Sequence, residues 1–433
     1  MKQTNPLKRL THSPLARNIL TLFTGKAAAQ VILIGSAPII SRLFVPADYG
    51  TAAMILALAA LVAPLATLSF GTASQLAALD SDARSLLRVA MGSTVLFTVL
   101  LVALTFILSS ALELEFFTRF GGWEWAIPLL FLLHGAESAF ESWNTRRKRF
   151  KVQAVTSVSS VGISTGSRIA FGAIGGSSVA GLVISKFIGV GTRVAVLARG
   201  SGLTRSTEAS ERSLDHYRSL AYKFRDFPLF ATPTALLQSV NRQLPLLLFG
   251  GLFSPAVAGL YAMADRLFLR PLNLLNASFR SVYTQHLVSA VDRGRPLTPL
   301  LLKASAFTGA AMLVPSTLLL VYGEPMIAFV LGETWRGAGE FIEITAPLMF
   351  FAALVIPANA AMVVCRQQRT FLAMQVLTTT ALAVGFFTAF LIWRTPASAL
   401  WALVTVLSIR HLYTVFIALA VTRRQDKSQQ SNL

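Results

Sequence analysis

The chain has 433 residues, 54% of them apolar and only 13% charged, with 38 lysines and arginines against 19 acids and a formal net charge of +19. Soluble chains carry roughly a quarter charged residues, so this composition, with a mean hydropathy of +0.62, leaves little from which to build a water-soluble fold. The single cysteine, Cys365, excludes an intrachain disulfide and supplies no metal or thiol motif.

About 20 apolar residues cross the hydrocarbon core as a helix. On that measure the sequence predicts an all-α, polytopic integral membrane protein of about twelve transmembrane helices in two six-helix, pseudo-symmetric lobes. At the N-terminus Lys8, Arg9 and Arg17 precede an apolar stretch, and Ala27-Ala28-Ala29 imitates a signal cleavage site. Gly25-Lys26 interrupts the run too early for a secretory signal, so the segment is read as retained. The first six spans cover residues 19–41, 51–70, 86–112, 125–143, 155–173 and 179–197. Between the fifth and sixth the only turn signal is Gly172, Gly175, Gly176, Ser177 and Ser178, and without that turn the second half would be inverted. The polar stretch Arg199 to Arg225 reads as an inner linker. Spans 227–249, 259–282, 300–322, 341–365, 371–393 and 397–421 follow. The expected organisation is a lobe at 1–198, a cytoplasmic linker at 199–225, and a second lobe with a short basic tail at 226–433. Pro38, Pro64, Pro245, Pro271, Pro315 and Pro357 fall in spans or at their ends and predict kinks.

A fragment recurs across the halves. Residues 44–54 and 253–263 match at six of eleven positions at an offset of 209, including Pro46 with Pro255 and Gly50 with Gly259. Six spans per half is an even number, so both copies enter from one side, a parallel repeat of the kind from which many transporters are built. With both termini inside, the outer loops hold Arg42, Arg119, Arg336 and Arg394 against Asp48, Glu113, Glu115, Glu124, Glu324, Glu333 and Glu340; most other basic residues lie inside. This satisfies the positive-inside rule. It also accounts for much of the net charge without nucleic acid, since Arg146-Arg147-Lys148-Arg149 and Arg423-Arg424 suit anionic phospholipid at the inner surface.

The spans themselves carry Lys26, Arg168, Lys186, Arg193, Arg242, Arg266, Arg270 and Arg410 but only four acids, Glu137, Glu141, Asp265 and Glu343. Each ionised group at mid-membrane costs about 2.5–3.5 kcal/mol on insertion scales, so these residues need water, a partner or a substrate. Side chains three or four apart share a helix face. Lys26 stacks on Gln30, Gln238 on Arg242 and Arg266 on Arg270, with Asp265, Asn273 and Asn276 on a neighbouring stripe. Such a lining attracts an anion, and arginine forks suit phosphate oxygens; Arg168 and Arg193 could instead snorkel or pair, and Asp265 could neutralise Arg266. On the fourth span His134, Glu137, Glu141 and Asn144 recur at helical spacing, either as a proton relay or as partners for arginines of spans five to eight.

Residues 42–50, preceded by Asn18-Ile19-Leu20 with Gly25 and Gln30, resemble the start of a Wzx-type polysaccharide biosynthesis flippase. That family belongs to a superfamily that also includes multidrug and toxin extruders and the lipid II flippase. Gly259 to Leu267 with Pro271 resembles its eighth span, and Leu331 to Gly339 resembles the short outer segment before its tenth. The resemblance implies a two-lobed bundle of the fold shared with those extruders and a cationic central cavity. It further implies transfer of an undecaprenyl-pyrophosphate-linked oligosaccharide from the cytoplasmic to the periplasmic leaflet of a bacterial inner membrane, by alternating access, without enzymatic chemistry or a cofactor. Substrate-binding residues would be Lys26, Gln30, Arg242, Arg266, Arg270 and Asn273, with His134, Glu137, Glu141 and Asp265 coupling or neutralising charge; a polymerase or glycosyltransferases would be partners. The first span lacks the acid typical of cation-coupled drug extruders, which weighs against drug or metabolite export. The short outer loops leave no room for the catalytic constellation of a polysaccharide polymerase or acyltransferase.

Overall fold

The computed structural model describes residues 14–113, 115–202, 213–269, 279, 283–365 and 367–430, and every regular element among them is helical. The protein is an all-α, multi-pass membrane bundle whose packing divides it into two compact units, Met1–Gly259 and Leu260–Leu433.

The first unit contains α1 (Pro14–Gly35), α2 (Ala37–Leu43), α3 (Pro46–Val62), α4 (Phe70–Leu76), α5 (Asp80–Phe106), α6 (Ala126–Arg146), α7 (Phe150–Gly175), α8 (Val179–Ser201), α9 (Leu214–Lys223) and α10 (Thr232–Leu252), and ends within α11 (Pro255–Ala264). The second holds the rest of α11, a π-turn over Asp265–Leu269, α12 (Leu297–Leu331), α13 (Arg336–Leu354), α14 (Ile356–Val364), α15 (Gln368–Trp393) and α16 (Pro396–Gln430). Arg270, Pro271, Asn273 and Asn276 lie outside the described residues.

Eight helical segments among the described residues are long and apolar enough to cross a membrane by length and composition alone. Only 11% of the apolar window of Asp80–Ala111 is buried by protein, so its Val95, Leu96, Val99 and Leu100 point outward, which is favourable only in lipid. The helices α6, α7 and α10 fall below that measure because of their own polar residues, including Glu137, Glu141, Arg168 and Arg242.

The turn between the fifth and sixth spans forms where the glycines predict it. Gly176 takes φ +69°, and the Ser178 hydroxyl caps α8 by accepting from Gly181 N. Pro38, Pro64 and Pro357 break spans rather than bend them: each stands in the first two positions of a new helical piece, where its missing N–H costs nothing. The polar stretch after α8 contributes α9, whose Leu220 packs with Phe70, Leu86 and Trp143 in a cluster shared with α4, α5 and α6. In the second unit Asp426 of α16 accepts from Leu297 N at 2.7 Å and Thr298 N at 3.0 Å, capping the first turn of α12 from a distant helix.

The two copies of the repeated fragment begin α3 and α11. Gly50 and Gly259 stand at the same place in each, and the two backbones touch there: a Cβ on Gly50 would lie 2.6 Å from Gly259 N, and one on Gly259 would lie 2.8 Å from the Pro46 carbonyl carbon.

Candidate functional site

The second span does not continue as one helix. After Val62 the chain forms a 3₁₀ turn over Ala63–Leu65, where Pro64 cannot donate, and Leu68 and Ser69 then adopt left-handed φ of 46° and 58° before α4 starts. Such conformations are unfavourable for residues with a Cβ and persist where surrounding contacts hold them. Here Thr94 and Ser93 of α5 donate hydroxyls to the freed Ala66 carbonyl at 2.8 and 2.9 Å, and Ser69 Oγ meets Thr232 Oγ1 at 2.9 Å.

The break opens one wall of a cavity of about 540 Å³ within the first unit. Thr67, Ser69, Thr72 and Gln75 line it from the broken span, His134, Glu137, Ser138, Glu141, Ser142 and Thr145 from α6, and Gln238, Ser239 and Arg242 from α10. Hydroxyls, amides and ions dominate this wall, so the space suits a hydrated polar group rather than an acyl chain. Ser239 Oγ donates to Ala60 O at 2.7 Å, fixing α10 against α3 at the height of the cavity.

Behind the α6 face stands Arg193 of α8. Its Nε lies 2.6 Å from Glu137 Oε1 and its Nη2 3.2 Å from Glu141 Oε2, so one guanidinium spans two carboxylates a turn apart. His134 Nδ1 lies 3.1 Å from Glu137 Oε2, and Lys186 adds a favourable charge at the same carboxylate. The geometry is a compact charge cluster in which Arg193 is compensated. Arg242, by contrast, is exposed into the cavity and has no hydrogen-bond or ion-pair partner among the described residues.

The cavity therefore brings together Arg242, Gln238, His134, Glu137 and Glu141 from the residues singled out in the sequence. Asn144, on the same predicted stripe, turns away: its Nδ2 donates to Leu197 O at 3.0 Å and ties α6 to α8. Lys26 and Gln30 of α1 do not line this wall; Lys26 is exposed, and the Gln30 amide nitrogen is buried. In the second unit Asp265 and Arg266 sit on the π-turn, with Arg266 only 3% exposed. Arg270 and Asn273 lie outside the described residues. Sequence reasoning missed the hydroxyl wall of Thr67, Ser69 and Thr72; its signal was a cluster of Ser and Thr directly after a mid-span proline.

The profile of a family described as polysaccharide biosynthesis protein matches residues 39–340. No curated protein sequence matches the chain significantly. Among solved structures, the lipid II flippase MurJ in an inward closed conformation superposes with a TM-score of 0.71 at 11% identity, covering 92% of this chain and 87% of that one. An inward-facing multidrug resistance MATE family transporter of the MOP superfamily gives 0.57 at 14% identity, covering 94% and 96%. A point mutant of the MATE transporter VcmN of Vibrio cholerae gives 0.56 at 12% identity, covering 96% of each chain. At these identities the likeness is one of fold.

Proposed function

The chain belongs to the polysaccharide biosynthesis protein family, and we propose that it flips an anionic, undecaprenyl-pyrophosphate-linked oligosaccharide from the cytoplasmic to the periplasmic leaflet of a bacterial inner membrane. The observation that carries this is Arg242, without a hydrogen-bond or ion-pair partner among the described residues, in a hydroxyl-rich cavity of a membrane bundle. A guanidinium without a carboxylate is costly within a membrane span unless water or an anion reaches it, and its fork matches two phosphate oxygens. The hydroxyls and amides beside it suit sugar hydroxyls. The prenyl tail would stay in lipid.

In this account residues 1–198 and 226–433 are the two lobes, 199–225 the cytoplasmic linker, and both termini are cytoplasmic. Lys26, Gln30, Arg266, Arg270 and Asn273 join Arg242 in holding the headgroup as access alternates. His134, Glu137 and Glu141 balance Arg193, and Asp265 balances Arg266; the ion cluster on α6 supports neutralisation over proton relay. With the inside negative, moving two uncompensated negative charges outward would be favoured by about 4.6 kcal/mol per 100 mV.

The test is Arg242→Ala. Surface polysaccharide should be lost while the protein remains at normal abundance in the membrane, and Arg242→Lys should recover only part because it lacks the fork. Full export by Arg242→Ala would overturn the assignment. Export of a cationic small molecule is the alternative that the Glu137 and Glu141 carboxylates in the wall favour; it predicts raised drug sensitivity with intact surface polysaccharide when the gene is deleted.

A further inference from the structure

The two copies of the repeated fragment contact each other by the same exchange that relates them. Pro46 corresponds to Pro255 and Gly50 to Gly259. Gly50 packs on the Pro255 carbonyl and Gly259 N, while Gly259 packs on the Pro46 carbonyl and Gly50 N. Reciprocal contact of equivalent residues is the signature of a two-fold relation at the point of contact. Every neighbour named is a backbone atom, which cannot rotate aside, so the crossing exists only with hydrogen in place of Cβ on both sides.

The crossing lies at one end of the cavity wall. Along α3, Met54 is six residues and Gly50 ten residues beyond the wall residue Ala60, about 9 and 15 Å at 1.5 Å per residue. Fully buried Met54 fills the space over Gly250 of α10. Arg119 reaches the Gly250 and Gly251 carbonyls at 3.4 and 3.5 Å, and the Phe116 ring stands 3.4 Å from where a Gly251 Cβ would be. Gln75 and Thr145 lie at the other end, near the basic turn after Arg146.

We propose that the Gly50–Gly259 crossing, with Met54 beneath it, is the outer closure of the cavity, parted when the cavity opens outward. Only the direction of transport rests on the flippase assignment. The physical logic is that paired glycines bring two backbones into contact without interlocking side chains at the crossing itself, which leaves the unbranched, flexible Met54 side chain as the one that must slide off Gly250 when the surfaces part.

The test times the reaction of an impermeant maleimide, added outside intact cells, with a single cysteine at the wall position Ala63 in a protein whose Cys365 is replaced. Gly50→Ala and Gly259→Ala, made separately, should each raise that rate about tenfold by shifting the population away from the closed state. Gly92→Ala, whose Cβ would meet nothing within 4 Å, should leave it unchanged. Wild-type labelling by either crossing variant at normal abundance would overturn the proposal. If both variants are lost from the membrane, Met54→Ala decides, because it removes the layer below without a clash: faster outside labelling supports the closure and an unchanged rate sinks it. Labelling requires no substrate, so intact surface polysaccharide in Arg242→Ala would overturn the flippase assignment and leave this result untouched.

Discussion

Arg193 shows how one residue can set the electrostatics of a wall. Its guanidinium bridges Glu137 and Glu141, and removing partners from a buried pair costs about 3–5 kcal/mol because the remaining charge has lost its compensation. Glu141 is 39% exposed, and solvent screening lowers the cost for the cluster to about 2–3 kcal/mol. Glu137→Gln with Glu141→Gln should therefore lower the thermal midpoint in detergent, and adding Arg193→Leu should restore most of it. Equal midpoints for the parent and the double variant would mean that water from the cavity already solvates Arg193. The spacing of the two glutamates was legible in the sequence. Their partner was not, because Arg168, Lys186 and Arg193 all stood on candidate neighbouring spans.

Helices in this protein are shaped by where their backbone groups find substitutes. The break in the second span survives because Thr94, fully buried, bonds both Ala66 O and Ala90 O at 2.8 Å. Thr94→Val keeps the shape but removes the donor, and should cost about 1–2 kcal/mol, read as a lower unfolding midpoint; Ser93, which also reaches Ala66 O, limits the loss. In the second unit Asp426 caps α12 from α16. Asp426→Ala should cost about 1–2 kcal/mol and speed amide exchange at Leu297 and Thr298 ahead of the rest of α12. Equal protection in both proteins would refute the cap. Pro64 marked the first of these features in advance; nothing local to Asp426 marked the second, since its partners lie 129 and 128 residues away.

At the scale of the whole molecule the charge distribution predicts a topology that chemistry can check. Single cysteines at Ser109 and Ser254 should react with an impermeant thiol reagent from outside intact cells, and one at Ser213 only in inverted vesicles, each with Cys365 replaced. The reverse pattern would invert the orientation and exchange the ends of the cavity. The same experiment bears on the crossing at Gly50 and Gly259, which must lie at the Ser254 end if it closes the outer side.

Hydropathy, charge and repetition along the chain determined the helical class, the membrane location and the approximate limits of the spans that fall within the described residues, because each depends on local composition or on comparison of the chain with itself. They also named Glu137, Glu141 and Arg242. The tertiary structure decided which of the ionised residues are compensated. In the sequence Arg242 reads as cavity lining beside Gln238 and Arg193 as a residue that could snorkel or pair; in the folded chain Arg193 meets two carboxylates and Arg242 faces a cavity. It also turned a repeated glycine into a contact, since in the sequence Gly50 and Gly259 are only matched positions of a repeat and their approach is what requires the missing Cβ. The physical reason is common to both: ion pairing and close approach act across distances of ångströms between residues far apart in the chain, and the order of residues specifies neither until the helices have packed.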